Sequence, residues 1–216
     1  PEINNPLAYV LGSLELASRA LEAGPAASPQ VGVALSTAKE GVHRIRAIIE
    51  DLRSLSRSGE SAMQPVDVSS VLDSTLALAA SEVSSRARIV RAYQPVPPAR
   101  ANMARLGQLF LNLIVNALDA MGDLPRDERV LELCIGQDAT GNIVVRVSDT
   151  GRGISPRNVE RIFDPFFTTN ANGQGTGLGL AICHQLVADL GGDIAVEATS
   201  ERGTTLRVTL PSAELS

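Results

Sequence analysis

The chain has 216 residues, enough for one large domain or two modest ones. Apolar residues make up 44% and aromatic residues only 3%, which predicts a substantial core packed mainly from aliphatic side chains. With 19 basic and 24 acidic residues, the net charge of −5 argues against nucleic-acid binding and against an anionic membrane surface. Cys134 and Cys183 are isolated thiols in apolar runs and are predicted to be reduced core residues.

No apolar run reaches the ~20 residues needed to span a bilayer, and no signal peptide opens the chain. We therefore expect a cytoplasmic location and no membrane contact within this segment. That expectation holds whether a longer parent protein is membrane-anchored or soluble.

The first part of the chain, residues 1–57, has the pattern of two antiparallel helices. Leucines recur at four- and three-residue steps in the first helix, and the segment from Gly24 to Pro29 ends it. The seam positions predicted in the two helices are Leu7, Leu11, Leu14, Ser18 and Leu21, then Val31, Leu35, Ala38, Val42, Ile45, Ile49 and Leu52. One hairpin cannot bury so long a seam, which predicts a dimeric four-helix bundle. Arg53–Met63 is polar and rich in serine, which indicates a hinge.

From Gln64 onward, strands and helices alternate, which predicts an α/β sandwich. The predicted strands are Val66–Val68, Arg88–Tyr93, Val130–Ile135, Ile143–Ser148, Asp193–Ala198 and Thr204–Leu210. The predicted helices are Ser69–Ser84 (capped by Asp67 or Ser69), Leu106–Met121, Ser155–Ile162 and Leu178–Leu190. Between the second strand and the second helix, Gln94–Arg100 is predicted to be a proline-rich loop.

Two asparagines stand one turn apart in the predicted helix Leu106–Met121. Its apolar residues, Leu106, Leu109, Phe110, Leu113, Ile114 and Ala117, follow the period of one buried face. Asn112 and Asn116 lie four apart, and asparagine is a poor helix former. Their amide oxygens suit a hydrated Mg²⁺ that carries a nucleotide phosphate. For the pair alone, a solvated helix edge is the better interpretation.

A carboxylate followed by glycines ends the predicted strand Ile143–Ser148. Asp149 could accept from the exocyclic amine of adenine, and Gly151 and Gly153 would let a flat ligand approach the backbone. So short a motif, taken alone, is better explained as an acidic turn.

A glycine-rich stretch, Gly173–Leu180, runs directly into a predicted helix. Free amides and the helix dipole at such a start favour phosphate. Its G-x-G-x-G spacing fits neither a Rossmann fingerprint nor a P-loop. A flexible surface loop is the weaker alternative, since it would not need the immediate helix start.

The segment Phe163–Phe167 holds three of the four phenylalanines of the chain. They could anchor the glycine loop or a partner helix. Plain core packing explains any single ring equally well.

Taken in chain order, the four stretches resemble the boxes of sensor histidine kinases: Asn112–Asn116 the N box, Asp149–Gly153 the G1 box, Phe163–Phe167 the F box and Gly175–Gly179 the G2 box. The opening residues Glu2–Leu7 resemble the H box of the same family. These kinases belong to the GHKL, or Bergerat-fold, ATPases, and the similarity covers essentially the whole chain. It implies an α+β protein: a helical hairpin forming a dimeric four-helix bundle in residues 1–60, followed by a Bergerat-type α/β sandwich in residues 61–216.

The resemblance also implies ligands, partners and residue roles. The ligands are ATP and Mg²⁺, and the partners are a second copy of the chain and a response-regulator receiver domain. Asn116 would coordinate Mg²⁺, Asn112 would support the phosphates, and Asp149 would bind adenine. The other nucleotide-binding residues would be Asp119, Gly151, Gly153, Thr168, Gly175, Thr176, Gly177, Leu178 and Gly179, with Gly175, Gly177 and Gly179 as the hinge of a lid.

The chain departs from the family at the phospho-acceptor. The family H box has a histidine directly before its glutamate, and Pro1 stands at that position here. Proline has no nucleophilic side-chain nitrogen, so phosphohistidine cannot form there. His43 and His184 belong to no acceptor motif, so no phospho-acceptor is predicted. Asn170 stands where many relatives have a lysine, which argues against a lid cation on the γ-phosphate.

With a histidine in place, its imidazole would attack the γ-phosphate in line while Mg²⁺ neutralises charge. Glu2 would take the imidazole proton as general base, and Asn5 would orient a water in dephosphorylation of a response regulator. Two alternatives stay open. One is a non-catalytic, ATP-sensing dimeric scaffold, which Pro1 favours. The other is a different GHKL member, such as a serine-phosphorylating anti-sigma kinase or a hydrolysing ATPase.

Overall fold

The computed structural model describes residues 4–22, 31–35, 38, 63–169 and 177–213, which fall into two compact units. One unit comprises Pro1–Ser58 with Thr168–Leu178, and the other comprises Gly59–Phe167 with Gly179–Ser216. Glu2, Gly175 and Thr176 lie outside the described residues, as do His43, Asn170 and the side chain of Asn5.

Helix α1 (Asn4–Glu22) carries two apolar stripes in the first unit. Val10, Ser13 and Ala17 form a buried stripe of mostly small side chains at three- and four-residue steps. The predicted seam residues Leu11 and Leu14 are 55% and 46% exposed. These two seam leucines are therefore open to solvent within this single chain.

The second unit is built on a five-stranded sheet. The strands are β1 (Gln64–Val66), β2 (Arg88–Tyr93), β3 (Ala99–Ala101), β4 (Val130–Gln137), β5 (Ile143–Asp149), β6 (Asp193–Ser200) and β7 (Gly203–Leu210). The order in the sheet is β2-β4-β5-β7-β6, with β2 and β4 parallel and the other pairs antiparallel. Strands β1 and β3 form a separate antiparallel ribbon.

Helices cover one face of this sheet. They are α2 (Val68–Leu78), α3 (Ala80–Arg86), α4 (Met103–Ala120) and α5 (Gly179–Asp189). Helix α4 packs against α2, α5, β4 and β5, and all six apolar residues of its predicted face are buried. Leu131, Leu133 and Ile135 alternate inward along β4, while Cys134 is only half-buried on the outward face, unlike the buried Cys183. The α/β sandwich is confirmed.

Two boundaries near the start of this unit differ from prediction. The first strand is Gln64–Val66 rather than Val66–Val68, because Asp67 caps α2: its Oδ1 accepts a 2.9 Å hydrogen bond from the Ser69 amide. The predicted helix Ser69–Ser84 is two helices. They meet at Ala79, whose φ of −92° and ψ of 9° interrupt the helical geometry.

The prediction of a loop over Gln94–Arg100 was wrong at its end. Strand β3 starts at Ala99 and pairs with β1, and its other edge meets the chain terminus, where the Arg100 amide donates to Pro211 O at 3.1 Å. A three-residue strand with no apolar run leaves no periodic signal in the sequence.

The predicted helix Ser155–Ile162 was also wrong. Only Pro156–Asn158 is helical, as a 3₁₀ turn. Four successive turns follow one another, each closed by an amide that donates to the carbonyl three residues earlier. The donors are Asn158, Arg161, Asp164 and Phe167, at 2.8, 2.9, 2.9 and 3.1 Å. This tighter winding does not develop into an α-helix.

Candidate nucleotide-binding site

The two asparagines of α4 have unsatisfied amide groups. Both residues are half-buried, and both Nδ2 atoms are buried with no hydrogen-bond partner among the residues that the structure describes. Asn112 Oδ1 accepts from Gln108 Nε2 at 3.1 Å, which fixes the orientation of that amide. A buried donor without an acceptor costs about 1–3 kcal/mol. These amides are therefore arranged for an oxygen-rich ligand that the described chain does not supply.

Helix α5 begins directly against Asn116. A Cβ atom added at Gly179 would stand 3.2 Å from Asn116 Nδ2 and 3.4 Å from Oδ1, so glycine permits the close approach. The backbone amides of the first turn of α5 have no intrahelical acceptors, and the helix dipole is positive at this end. The start of α5, which favours anions, therefore lies beside the Asn116 side chain, whose amide offers both a nitrogen donor and an oxygen acceptor.

These residues fit Mg²⁺ carried by a nucleotide. Over the described residues, no group of three or more His, Cys, Asp or Glu side chains could hold a metal by itself. Mg²⁺ commonly takes one or two protein oxygens, completing its shell with substrate phosphates and water. The Asn116 amide oxygen and a phosphate at the start of α5 meet that requirement.

Asp149 is held by backbone amides at the end of β5. The Gly151 amide donates to its Oδ1 at 2.7 Å. Burial raises the pKa of the Asp149 carboxyl above its ordinary range, although hydrogen bonds from the Gly151 and Thr204 amides act to lower it. A half-buried carboxylate at fixed position can accept from an amine such as the exocyclic amine of adenine.

Glycines allow the loop after Asp149 to contact two other backbone segments. A Cβ at Gly151 would stand 2.5 Å from Ala120 O, where α4 ends, and the Arg152 amide donates to that same oxygen at 3.1 Å. Gly153 has a φ of 67°, and its Cβ would lie 1.7 Å from Ser200 O. Main-chain contact thus joins the Asp149 loop to the asparagine helix and to the β6–β7 hairpin.

Asp119 lies on the ridge of the two asparagines and is paired with an arginine. Arg86 Nη2 lies 2.7 Å from Asp119 Oδ1, and the two side chains are 29% and 38% exposed. Sequence analysis did not identify Arg86, because a pair separated by 33 residues leaves no local pattern.

The three phenylalanines are not simply core residues. Phe163 lies 5.6 Å from the exposed His184 between ring centroids, and the Arg161 guanidinium stands 4.7 Å over the Phe167 ring. Phe166 is 47% exposed and has a φ of 66°. Core packing therefore does not explain Phe166, and an anchoring role for this ring stays a prediction.

The remaining predicted residues within the described ranges belong to the first unit. Thr168 is exposed, Gly177 has a φ of 66°, and Leu178 is buried. The second unit therefore contains the predicted site residues Asn112, Asn116, Asp119, Asp149, Gly151, Gly153 and Gly179.

Comparison with known proteins identifies the family. The family model described as "Histidine kinase-, DNA gyrase B-, and HSP90-like ATPase" matches residues 101–214. A second, "His Kinase A (phospho-acceptor) domain", matches residues 2–61. The chain belongs to the sensor histidine kinases. In this sensor histidine kinase the His Kinase A match begins at the residue after Pro1, and the ATPase match covers every box from Asn112 to Gly179.

Curated sensor histidine kinases are similar along almost the whole chain. ZraS of Escherichia coli K12 is 34% identical over 212 residues, which are 97% of this chain and 43% of ZraS. The C4-dicarboxylate transport sensor protein DctB of Rhizobium meliloti is 34% identical over 98% of this chain and 33% of its own length. The chain thus spans less than half the length of these relatives. Among the helices that the structure describes, none is long and apolar enough to cross a membrane.

Solved histidine kinases share the fold. ShkA in complex with AMPPNP is 26% identical with a TM-score of 0.70, covering 95% of this chain and 46% of ShkA. The mycobacterial sensor MprB is 27% identical with a TM-score of 0.59, covering 69% of this chain and 97% of the MprB chain. ThkA, solved with the response regulator TrrA, has a TM-score of 0.76 at 20% identity, over 100% of this chain and 60% of that one.

Proposed function

We propose that this chain is the core of a two-component sensor histidine kinase that binds Mg-ATP and transfers the γ-phosphate to a histidine, then to a response-regulator aspartate. Residues 1–60 would form the dimerisation and phosphotransfer domain, and residues 61–216 the catalytic domain. The observation that carries the proposal is the pair of buried Nδ2 donors of Asn112 and Asn116, for which the described part of the chain supplies no acceptor. The start of α5 at Gly179, against Asn116, supports it.

The proposed roles follow from these positions. Asn116 would hold Mg²⁺ through Oδ1, and bound Mg²⁺ would supply charge neutralisation on the phosphates. The Asn112 amide would donate to a phosphate oxygen, and Asp149 would accept from the adenine amine between the close-packed Gly151 and Gly153. The rest of the phosphate-binding and lid residues would be Thr168, Gly175, Thr176, Gly177, Leu178 and Gly179, and Asp119 would lie in the nucleotide site beside the phosphates, on the ridge of the two asparagines.

Pro1 stands where the family has its phospho-acceptor. We infer that a chain with proline at this position does not autophosphorylate. In a chain with histidine there, the imidazole nitrogen would form a bond to the γ-phosphorus as the bond to the leaving ADP oxygen breaks. Glu2 would accept the imidazole proton, and Asn5 would orient the water that hydrolyses the aspartyl phosphate of a response regulator.

The proposed partners are a second copy of the chain and a receiver domain. Leu11 and Leu14 are exposed on α1 at heptad spacing, which supports a dimer seam. The receiver partner is supported by family membership and by ThkA, whose solved structure contains the response regulator TrrA.

Transfer of label from γ-labelled ATP in the presence of Mg²⁺ tests the proposal. The comparison needs the chain as it is, a Pro1→His variant, and Pro1→His with Asn116→Ala. We expect acid-labile, base-stable label only in Pro1→His with Asn116 intact. Label on the unmodified chain would show that another residue is the acceptor.

A non-catalytic ATP-sensing scaffold is the second candidate, and Pro1 favours it. It predicts that ATP binds equally well to the chain and to Pro1→His, and that neither becomes labelled. The retained Glu2 and Asn5 argue against it, because a scaffold needs neither residue.

A further inference from the structure

Asp119 presents a negative charge on the ridge proposed to hold phosphates. Asn112, Asn116 and Asp119 are spaced four and three residues apart on α4, so their Cβ atoms succeed one another along one face. Neighbours at such spacing have Cβ atoms about 5–6 Å apart. An uncompensated carboxylate next to Asn116 would repel the phosphates of ATP.

Arg86 compensates this charge from a different element. It is the last residue of α3, and its Nη2 reaches Asp119 Oδ1 at 2.7 Å. Only about a third of each side chain is exposed, at 29% and 38%, so the pair is less screened than one on the open surface.

Other arginines near this end of α4 are engaged with main-chain carbonyls. Arg126 Nη2 donates to Ser84 O at 3.0 Å, and Arg129 Nε donates to Leu124 O at 2.8 Å. Their guanidinium groups stabilise the loop that follows α4 through these hydrogen bonds. The contact with the Asp119 carboxylate is made by Arg86.

We propose that Arg86 is a specificity-determining residue of the nucleotide site: by neutralising Asp119, it allows the ridge to accept a triphosphate in preference to less charged adenine ligands. The inference rests on the proposed function, since it assumes that the ridge of Asn112 and Asn116 binds phosphate. Arg86 acts through Asp119 and is therefore a positioning residue. Its loss changes the dependence of affinity on ligand charge and leaves adenine recognition at Asp149 in place.

Calorimetric titration with adenosine, ADP and ATP, each with Mg²⁺, tests the inference. The variants are Arg86→Gln, Asp119→Asn, the double variant, and Arg86→Lys, which keeps the charge. Arg105→Gln is the matched control, because Arg105 Nη1 pairs with Asp189 Oδ2 at 3.0 Å near the other end of the same helix. Circular dichroism and thermal melting of each variant report its folding.

We expect Arg86→Gln to weaken ATP binding by roughly tenfold and ADP binding less, while the Kd for adenosine stays within about twofold. Asp119→Asn and the double variant should bind ATP at least as tightly as the unmodified chain, because the repulsive charge is gone. Arg86→Lys should retain most of the preference for ATP, and Arg105→Gln should leave the ATP-to-adenosine ratio unchanged.

Two results would overturn the inference alone. If Arg86→Gln weakens the binding of adenosine and of ATP equally, the Arg86–Asp119 ion pair only stabilises the packing of α3 against α4. If Asp119→Asn weakens Mg-ATP as much as Arg86→Gln does, the carboxylate itself binds the ligand. An unmodified, folded chain that binds neither ATP nor adenosine would instead overturn the proposed function, and this inference with it.

Discussion

At the scale of single residues, Asp149 combines a proposed role in adenine binding with a cost in stability. Burial raises its pKa in the folded chain, so ionisation at neutral pH is less favourable there than in the unfolded chain. The folded state therefore binds more protons across the interval between the ordinary carboxyl pKa and the raised one. Stability falls as pH rises through that interval, and the full cost remains above it.

Replacing Asp149 with asparagine should weaken ATP binding and raise the stability of the folded chain at neutral pH. Asp149→Asn keeps an oxygen for the Gly151 amide but presents no carboxylate to an adenine amine. We expect affinity for ATP to fall by at least about tenfold, while Tm at neutral pH rises. The gain in Tm should shrink as pH is lowered through the ordinary carboxyl range, which melting curves at several pH values would show. A pH-independent difference in Tm would contradict the assigned cause.

Gly179 offers a second test at this scale. Gly179→Ala adds a Cβ atom 3.2 Å from Asn116 Nδ2, which forces the end of that side chain to move by a few tenths of an ångström. Alanine also favours helix by up to about 1 kcal/mol over glycine. We expect unchanged or higher stability in denaturant, together with weaker Mg-ATP binding. Gly107→Ala in α4 is the control, since its Cβ would meet only ordinary contacts at 3.8 Å.

At the scale of elements, a threonine on β6 fastens the loop after Asp149. Thr199 Oγ1 accepts from the Ile154 amide at 2.8 Å and lies 3.3 Å from Thr204 Oγ1. It thereby holds the segment that carries Gly153 against the hairpin.

Removing the Thr199 hydroxyl should weaken the binding of every adenine ligand to a similar extent. Thr199→Val leaves the Ile154 amide without its partner, at a cost of about 1–3 kcal/mol in unfolding free energy. We expect adenosine and ATP to lose affinity in parallel, unlike the charge-dependent effect at Arg86. Thr205→Val, which breaks the 2.9 Å Ser148–Thr205 contact on the same sheet, is the matched control. Equal effects of the two substitutions on binding would argue against a specific role for Thr199.

At the scale of the whole molecule, the exposed seam of α1 predicts the oligomeric state. Leu14→Asp would place a charge in a buried dimer seam, where an unpaired charge is costly. We expect a shift from dimer to monomer in light scattering coupled to size-exclusion chromatography. Leu16→Asp is the control: Leu16 is 62% exposed but lies outside the heptad positions. A Leu14→Asp variant that stays dimeric would place the interface elsewhere.

Sequence patterns predicted the sandwich because its main elements are long and periodic. The buried face of α4 and the strand Arg88–Tyr93 were both correct, since packing follows apolar spacing there. The patterns failed where structure depends on partners distant in the chain. Strand β3 forms because β1 and the segment near Pro211 offer backbone hydrogen-bond partners. Arg86 likewise pairs with Asp119, which lies 33 residues later in the sequence.

The loop after Asp149 is fixed by backbone touching backbone. Gly151 lies against Ala120 O, Gly153 against Ser200 O, and a Cβ at Gly203 would stand 1.9 Å from Asp149 O. These contacts are between backbone atoms and do not depend on side-chain rotamers. Substitutions of neighbouring side chains therefore cannot readily change where the backbone places the Asp149 carboxylate. The proposed phosphate-binding end, in contrast, includes the side chains of Asn112, Asn116 and Arg86. Substitutions there could therefore change phosphate binding while the backbone that positions Asp149 at the proposed adenine-binding end stays as it is.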